Sequence, residues 1–330
     1  MAIFKNPNFD FLKWRWPALG LSLFIIAAGA ILMTIRGGPA LGIDFSGGTI
    51  LLVEFDVPVT EDAVRGAIRD VVDESVVQLA GEASDNTVMI RLPQGGIEEG
   101  TSLEDGATAV EAALRQSGIG DPTVLQRDLV GPVIGEELKR RGVSAFGFAM
   151  LGLLIYIGFR FRFSFAAGAI IAVFHDILIT LAMLTFFGYD LSLNVVAAML
   201  TITGYSVNDS IVVFDRVREN LRKMRRDSFD TLVNTSINQT LSRTIITSGT
   251  TAFAALALFV AGGEVLRGFA FTILVGVVSG TYSTIFIAAA AAIVISERRA
   301  ARRSKHVSGG DRAASNPKRR AKKARARVRA

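Results

Sequence analysis

The chain has 330 residues, of which 50% are hydrophobic, with a mean hydropathy of +0.42 and a formal net charge of +6. These values are high for a soluble domain and indicate a membrane protein. The absence of cysteine excludes disulfides and thiolate metal sites, and the two histidines leave little scope for a metal centre. We expect no cofactor. Because no Walker, HExxH or GxSxG motif occurs, we also expect no ATPase or hydrolase activity in the chain itself.

Six segments are long and apolar enough to predict membrane-spanning helices. The first, Leu19–Ile35, follows a long N-terminal region that includes Asp10, so we interpret residues 1–36 as a cytoplasmic N-terminus with an uncleaved anchor rather than a signal peptide. The other five predicted spans lie within residues 139–297. They are Val143–Phe159, Phe163–Phe187, Leu191–Phe214, Ile245–Ala261 and Leu266–Ile295.

Residues 37–138 predict a separate α+β domain between the first two spans. Alternating β-rich segments predict strands, and Thr60 and Ser102 are typical helix N-caps. The resulting order βαββαβ is that of a ferredoxin-like domain. The predicted elements are a strand at Thr49–Phe55, a helix from Thr60, strands at Val76–Leu79 and Thr87–Leu92, a helix at Ser102–Gln116 and a strand at Thr123–Val130, with a turn at Ser84-Asp85-Asn86. We predict that the glycine motifs at residues 42–48 and 130–135 are turns joining this domain to the membrane part.

The distribution of charge predicts the orientation. Lys and Arg are concentrated before span one, after span two, after span four and after span six, which the positive-inside rule places in the cytoplasm with both termini. Residues 37–138 carry 19 Asp/Glu against 5 Arg and are predicted to lie outside the cell. Lys139, Arg140 and Arg141 are exceptions to the rule.

The C-terminal segment 298–330 is predicted to be a disordered, basic cytoplasmic tail. Within residues 297–330 there are 14 Lys/Arg against two acids, and large apolar residues are scarce. Its expected partner is anionic lipid or the ribosome. The alternative is a topology anchor without a specific partner.

One carboxylate, Asp209, lies inside the fourth predicted span. A charge there costs about 2.5–3.5 kcal/mol on insertion scales, which makes a functional role the first hypothesis. Arg243 and Thr247 stand one turn apart near the start of the fifth span, so the three residues resemble a proton-handling site. The alternatives are a helix–helix hydrogen bond with Asn208 or Ser210, a snorkelling Arg243, and a Thr247 hydroxyl bonded to its own helix.

The third span contains a second polar pair, His175 and Asp176. Histidine can carry protons near neutral pH, whereas a buried pair can also fix helix packing, and both interpretations stay open. Because neighbouring helical residues point about 100° apart, the two side chains should not easily share one partner.

Five motifs occur in a distinctive order along residues 1–300. They are GIDFSGG at 42–48, VGPVIGEEL at 130–138, FHD at 174–176, GYSVNDSIVVFDRVREN at 204–220 and LSRTIITSGTT at 241–251. This set, with one large loop after span one, resembles the SecF family of bacterial protein-export subunits. The resemblance implies that Asp209, Arg243 and Thr247 form a proton relay.

The resemblance also implies partners and a location. It implies a SecD subunit that supplies the other half of a proton-driven unit in the bacterial cytoplasmic membrane. The pair would work beside the SecY-containing channel and SecA on an unfolded exported polypeptide, with protons as the coupling ion. Two alternatives remain: half of a proton-driven exporter of small molecules or lipids, and a passive scaffold for SecD.

Overall fold

The computed structural model describes residues 7–72, 75–80, 86–92, 102–224 and 226–314. Six helices are long and apolar enough to cross a membrane, and they include all six predicted spans. They are α1 (Arg15–Ile35, preceded by a 3₁₀ turn at Leu12–Trp14), α5 (Pro132–Arg160), α6 (Phe163–Phe187), α7 (Leu193–Lys223), α8 (Phe229–Ala261), and α9 (Gly263–Ser283) continuing through a π-helical turn at Thr284–Ala288 into α10 (Ala289–Ala314).

Several helices extend beyond their apolar segments. Helix α8 begins at Phe229, well before the predicted start at Ile245, because Ser228 caps its first turn through a hydrogen bond from the Thr231 amide. Helix α5 likewise begins at Pro132, and proline is favoured in the first turn of a helix. The hydrophobic segments therefore mark the spans but not the helix ends.

Between α1 and α5 lies a small α/β domain. After the short helix α2 (Ile43–Ser46) its elements follow in the order β1 (Gly48–Phe55), α3 (Glu61–Ile68), β2 (Val76–Ala80), β3 (Thr87–Leu92), α4 (Leu103–Gln116) and β4 (Pro122–Val130). The strands form one antiparallel sheet in the order β2-β3-β1-β4. Thr60 and Ser102 cap α3 and α4 as their sequences predict. Residues 81–85, which hold most of the predicted turn, lie outside the described residues.

One face of this sheet is covered by α3 and α4. The alternating residues Leu51, Val53 and Phe55 of β1 are almost fully buried against Val64 and Val110 of the two helices. The opposite face, which includes Ile50 and Leu52, is turned toward a cavity of about 800 Å³ above the membrane helices. The domain thus has its own core. The face of its sheet that α3 and α4 do not cover is turned toward the membrane helices.

The two glycine motifs meet where the domain joins the helices. Gly47 and Gly48 have φ values of 72° and 124°, which favour glycine, and they connect α2 to β1. A Cβ on Gly135 would lie 3.1 Å from the Gly47 amide nitrogen, so the first turns of α5 press against this connection. The prediction of a turn at residues 130–135 is wrong in this respect, because Pro132 starts α5 there.

The core of the membrane part lies among α6, α7, α8 and α10. Phe214 of α7 is almost fully buried and stacks on Phe165 of α6, with ring centroids 5.1 Å apart. Helix α1 packs on the outside of α6, where Gly29 lies so close to Ala182 that a Cβ would be 2.3 Å from the alanine methyl.

The last helix differs from the prediction of a disordered tail from residue 298. Helix α10 continues to Ala314, because the segment is rich in alanine and arginine, which are good helix formers. The first basic turn of α10 contacts α6, where the Arg299 guanidinium lies 4.2 Å from the centre of the Phe163 ring. Residues 315–330 lie outside the described residues.

Candidate functional site within the membrane helices

Asp209 lies on the inner face of α7 and is 3% exposed. Its hydrogen bond is long: Ser248 Oγ of α8 lies 3.5 Å from Asp209 Oδ2. The Ser248 hydroxyl in turn contacts Thr281 Oγ1 of α9 at 2.7 Å. Three helices therefore bring a carboxylate and two hydroxyl groups together, but the carboxylate is only weakly bonded.

Arg243 lies on α8 near Asp209 but does not bond to it. Its side chain is exposed, and among the described residues no ion pair or hydrogen bond joins the two side chains. The Arg243 charge still acts on Asp209 electrostatically. Closing this gap would require α7 and α8 to move or the arginine to change rotamer.

The other predicted residues around Asp209 point elsewhere. The Thr247 hydroxyl donates to the Arg243 and Thr244 carbonyls of its own helix, at 3.0 and 3.1 Å. Ser210 bonds to Thr284 in the π-helical turn at 3.0 Å, and Asn208 is exposed on the outer face of α7. Neither Asn208 nor Ser210 bonds to Asp209, so the predicted helix–helix hydrogen bond of Asp209 is formed by Ser248 instead.

Among the described residues of the membrane part, Asp176 of α6 is the carboxylate with the most hydrogen-bond contacts. It is 3% exposed, and three serine hydroxyls and one imidazole surround its two oxygens. The contacts to Oδ2 are Ser206 at 2.5 Å and Ser283 at 2.7 Å, and those to Oδ1 are Ser279 at 2.6 Å and His175 Nδ1 at 3.0 Å.

His175 reaches the first helix on its other side. Its Nε2 lies 2.9 Å from Ser22 Oγ of α1, and its ring stacks on Tyr282 of α9 with centroids 6.0 Å apart. As expected from their angular separation, His175 and Asp176 have different outside partners, yet they also contact each other. The sequence reasoning missed the serines; Ser279 and Ser283, one turn apart in an apolar helix, were the available signal.

The two buried carboxylates differ in how many donors they accept. Each oxygen of Asp176 has two polar contacts, and three of the four come from serine hydroxyl donors. Asp209 has one distant hydroxyl donor within the described part of the chain and keeps positions at which a proton can bind. Asp209 is therefore the better candidate for a group that gains and loses a proton.

A polar strip runs along the outer surface of α7 and α8 next to Asp209. On α7 it consists of Thr201 and Asn208, two turns apart on one face with Gly204 between them. On α8 it includes Arg243 and Thr250, both exposed. Polar groups are costly against lipid, so this strip is suited to contact with protein.

Polar contacts also link the α/β domain to the membrane helices near the start of α7. Arg91 of β3 forms an ion pair with Asp190 in the loop between α6 and α7, and the Asp44 carboxylate accepts a hydrogen bond from the Leu193 amide at the start of α7. Burial lowers the pKa of Arg91. These contacts hold the α/β domain on the membrane helices.

Comparison with known proteins identifies relatives over most of the chain. The model described as protein export membrane protein SecD/SecF, C-terminal, matches residues 109–298, and the SecD/SecF GG motif matches residues 33–59. The protein translocase subunit SecF of Escherichia coli O157:H7 is 39% identical, over 85% of this chain and 86% of that protein. SecF of Desulfurispirillum indicum is 41% identical, over 84% and 89%.

Solved structures show the same fold. The crystal structure of SecDF, a translocon-associated membrane protein from Thermus thermophilus, superposes with a TM-score of 0.78 at 36% identity. The match covers 88% of this chain and 39% of the SecDF chain. A SecDF structure in a super-membrane-facing form matches with a TM-score of 0.67, covering 93% and 41%.

Proposed function

Because this chain belongs to the SecF family of protein translocase subunits, we propose that it works with a SecD subunit to couple proton movement to protein export. The observation that carries the proposal is Asp209, a carboxylate buried among the spans with one long hydrogen bond. The membrane would be the bacterial cytoplasmic membrane. The gradient, rather than nucleotide hydrolysis by this chain, supplies the free energy, and protons are the coupling ion.

Asp209 alternates between a protonated state and an ionised state in this mechanism. When protonated it needs no counter-ion, which suits its weak bonding to Ser248. When ionised it attracts Arg243, which draws α7 and α8 together. The Ser248 and Thr281 hydroxyls lie where they can pass or orient the proton. The Thr247 hydroxyl would take part in the relay once its hydrogen bonds to carbonyls of its own helix are broken.

SecD covers the polar strip of α7 and α8 in this proposal. A strip that includes an arginine and an asparagine is unfavourable against lipid, and a second helical half would bury it. The SecDF chains that match are more than twice as long as the matched part, which leaves room for such a half. Arg243 would then lie between the two halves, beside Asp209.

The α/β domain handles the exported polypeptide outside the cell. Its order of elements and strands supports a ferredoxin-like fold. Its excess of acidic residues, and the basic residues near both termini, support an exterior position with both termini in the cytoplasm. The expected neighbours are the SecY-containing channel and SecA, with unfolded polypeptide as substrate.

Substitution of Asp209 by asparagine tests proton coupling. The variant keeps the size of the side chain but cannot release a proton, so export stimulated by the proton gradient should be lost while SecA-driven translocation persists. Thr203→Val on the same helix is the control, because the buried Thr203 hydroxyl lies outside the polar strip and bonds only to its own helix carbonyl at Met199 in the described structure.

Other outcomes would favour other functions. Unchanged gradient-dependent export in Asp209→Asn would contradict proton coupling and leave a passive scaffold for SecD. Purification from mild detergent tests the partners: SecD and SecY should copurify with the chain. Copurification of neither, with a proton-dependent efflux activity, would indicate a small-molecule or lipid exporter.

A further inference from the structure

A continuous chain of hydrogen bonds joins α6, α1 and α9 beside the site described above. It runs from Asp176 through His175 to Ser22, from Ser22 to Tyr282, and from Tyr282 to a backbone carbonyl of α1. The distances are 3.0 Å from Asp176 Oδ1 to His175 Nδ1, 2.9 Å from His175 Nε2 to Ser22 Oγ, 3.1 Å from Ser22 Oγ to Tyr282 Oη and 2.5 Å from Tyr282 Oη to the Ala18 oxygen.

The last contact fixes the direction of the chain. A carbonyl oxygen can only accept, so at 2.5 Å the Tyr282 hydroxyl proton must point to Ala18. Tyr282 therefore cannot donate to Ser22, and Ser22 must donate to Tyr282. With its single proton used in this way, the Ser22 hydroxyl can only accept from His175.

His175 must then donate from Nε2 to Ser22. A neutral His175 with its proton on Nδ1 instead would leave two oxygen atoms, those of Ser22 and Tyr282, facing each other without a proton between them. Nδ1 faces Asp176, and opposite an ionised carboxylate Nδ1 must donate as well, which makes the imidazole doubly protonated.

Asp176 is organised as the matching anion. Hydroxyl donors from α7 and α9 occupy its remaining acceptor positions, at 2.5 to 2.7 Å. Asp176 and Tyr282 are the titratable side chains among the described hydrogen-bonding and stacking partners of His175. Breaking the charge pair would leave the other charge buried without compensation.

We propose that His175 is a stable imidazolium paired with Asp176, and that this buried pair is a fixed joint between α1 and the helical core rather than a step in proton transfer. The hydrogen-bond chain ends at a backbone carbonyl, which does not take up a proton. His175 is thus a positioning residue. The proposal does not depend on the role of Asp209.

The position of the His175–Asp176 pair in the fold indicates its structural role. Helix α1 is fixed to α6 at three levels: Ser22 with His175, Gly29 against Ala182, and Arg36 Nη1 donating to the Thr185 carbonyl at 2.7 Å. Helix α1 leads to β1, and α6 leads to Asp190, which holds Arg91 of β3. The two helices therefore support the α/β domain as one rigid pair.

Nitrogen-15 NMR of the histidine ring tests the proposal directly in the full chain. The chain has two histidines, so a His306→Asn background leaves His175 as the single labelled histidine. In lipid nanodiscs at neutral pH, both ring nitrogens should show the protonated shift. A deprotonated ring nitrogen at neutral pH would overturn the assignment.

Asp176→Asn separates this proposal from a neutral histidine. The variant removes the anion that pairs with His175, so a charged imidazole would be left buried without compensation and one ring nitrogen should show the deprotonated shift at neutral pH. Ring nitrogens that are unchanged in this variant would overturn the proposal. Asp215→Asn is the matched control, because Asp215 pairs with Arg160 and not with His175.

Discussion

The Arg91 guanidinium on β3 of the α/β domain is paired with the Asp190 carboxylate in the loop between α6 and α7. The two side chains are 18% and 19% exposed, so the pair is largely removed from water. Burial lowers the pKa of Arg91, which means that the folded state holds this proton less tightly than the unfolded chain does. Because arginine stays protonated in proteins, the lowered pKa is a cost of folding that Asp190 offsets.

Substitution of Asp190 by asparagine should loosen the domain. Breaking a buried pair on one side costs about 3–5 kcal/mol, and the low end is expected here because each side chain keeps some contact with water. Hydrogen exchange of the backbone amides of β3 and of residues 189–193 should become faster, whereas the membrane helices should stay protected.

Two further variants define the origin of that effect. Arg91→Gln with Asp190→Asn should recover part of the protection, because no unpaired charge remains buried. Asp62→Asn should change exchange little, since its pair with Arg65 is 91% and 49% exposed and such pairs contribute about 0–1 kcal/mol. Equal effects of Asp62→Asn and Asp190→Asn would argue against a specific link.

Thr247→Val tests whether the Thr247 hydroxyl takes part in proton coupling. In the structure this hydroxyl bonds to its own helix, so a purely local role predicts no loss of export. The proposed relay instead predicts a loss of gradient-stimulated export of about tenfold, in line with removal of one hydrogen-bonding group at about 1.4 kcal/mol. Thr203→Val provides the comparison, and equal activities of the two variants would remove Thr247 from the relay.

Gly29→Ala should separate α1 from α6. The new Cβ would lie 2.3 Å from the Ala182 Cβ and 2.7 Å from its Cα, so the helices must move apart. Overpacking of this kind costs about 1–3 kcal/mol, which thermal unfolding in detergent would report as a lower midpoint. Gly20→Ala on the same helix meets no atom within 4 Å and should not lower the midpoint, because alanine is the better helix former. A lower midpoint for both variants would contradict close packing at Gly29 as the cause.

Removal of residues 304–330 tests the basic C-terminal segment. Lys and Arg near an anionic surface contribute about 1 kcal/mol each, less at high salt. The truncated protein should insert normally, because Arg298, Arg299, Arg302 and Arg303 remain, but it should lose salt-sensitive binding to anionic vesicles or ribosomes. If the truncated chain bound both vesicles and ribosomes as well as the full chain does at low salt, the basic segment would be a solvated run of charges without a specific partner.

Local signals in the sequence were sufficient for the elements and the spans. Hydrophobic length predicted the six helices, and the alternation in Thr49–Phe55 with the caps Thr60 and Ser102 predicted the strands and helices of the α/β domain closely. These features depend on neighbours along the chain, which is why they can be read without the tertiary structure. The sequence also placed Asp209 within a predicted span, because an acidic residue is conspicuous inside an apolar segment.

Only the tertiary structure decided which polar groups meet. Ser22, Ser206 and Ser279 are ordinary residues of three different helices, and nothing local to them shows that they converge on His175 and Asp176. The π-helical turn that presents Thr284 to Ser210 and the pairing of Arg91 with Asp190 are likewise consequences of packing between distant segments. The sequence by itself determined where the costly groups lie along the chain. The packing of the helices determined that, among the described residues, Asp176 has four polar contacts and Asp209 one long hydrogen bond.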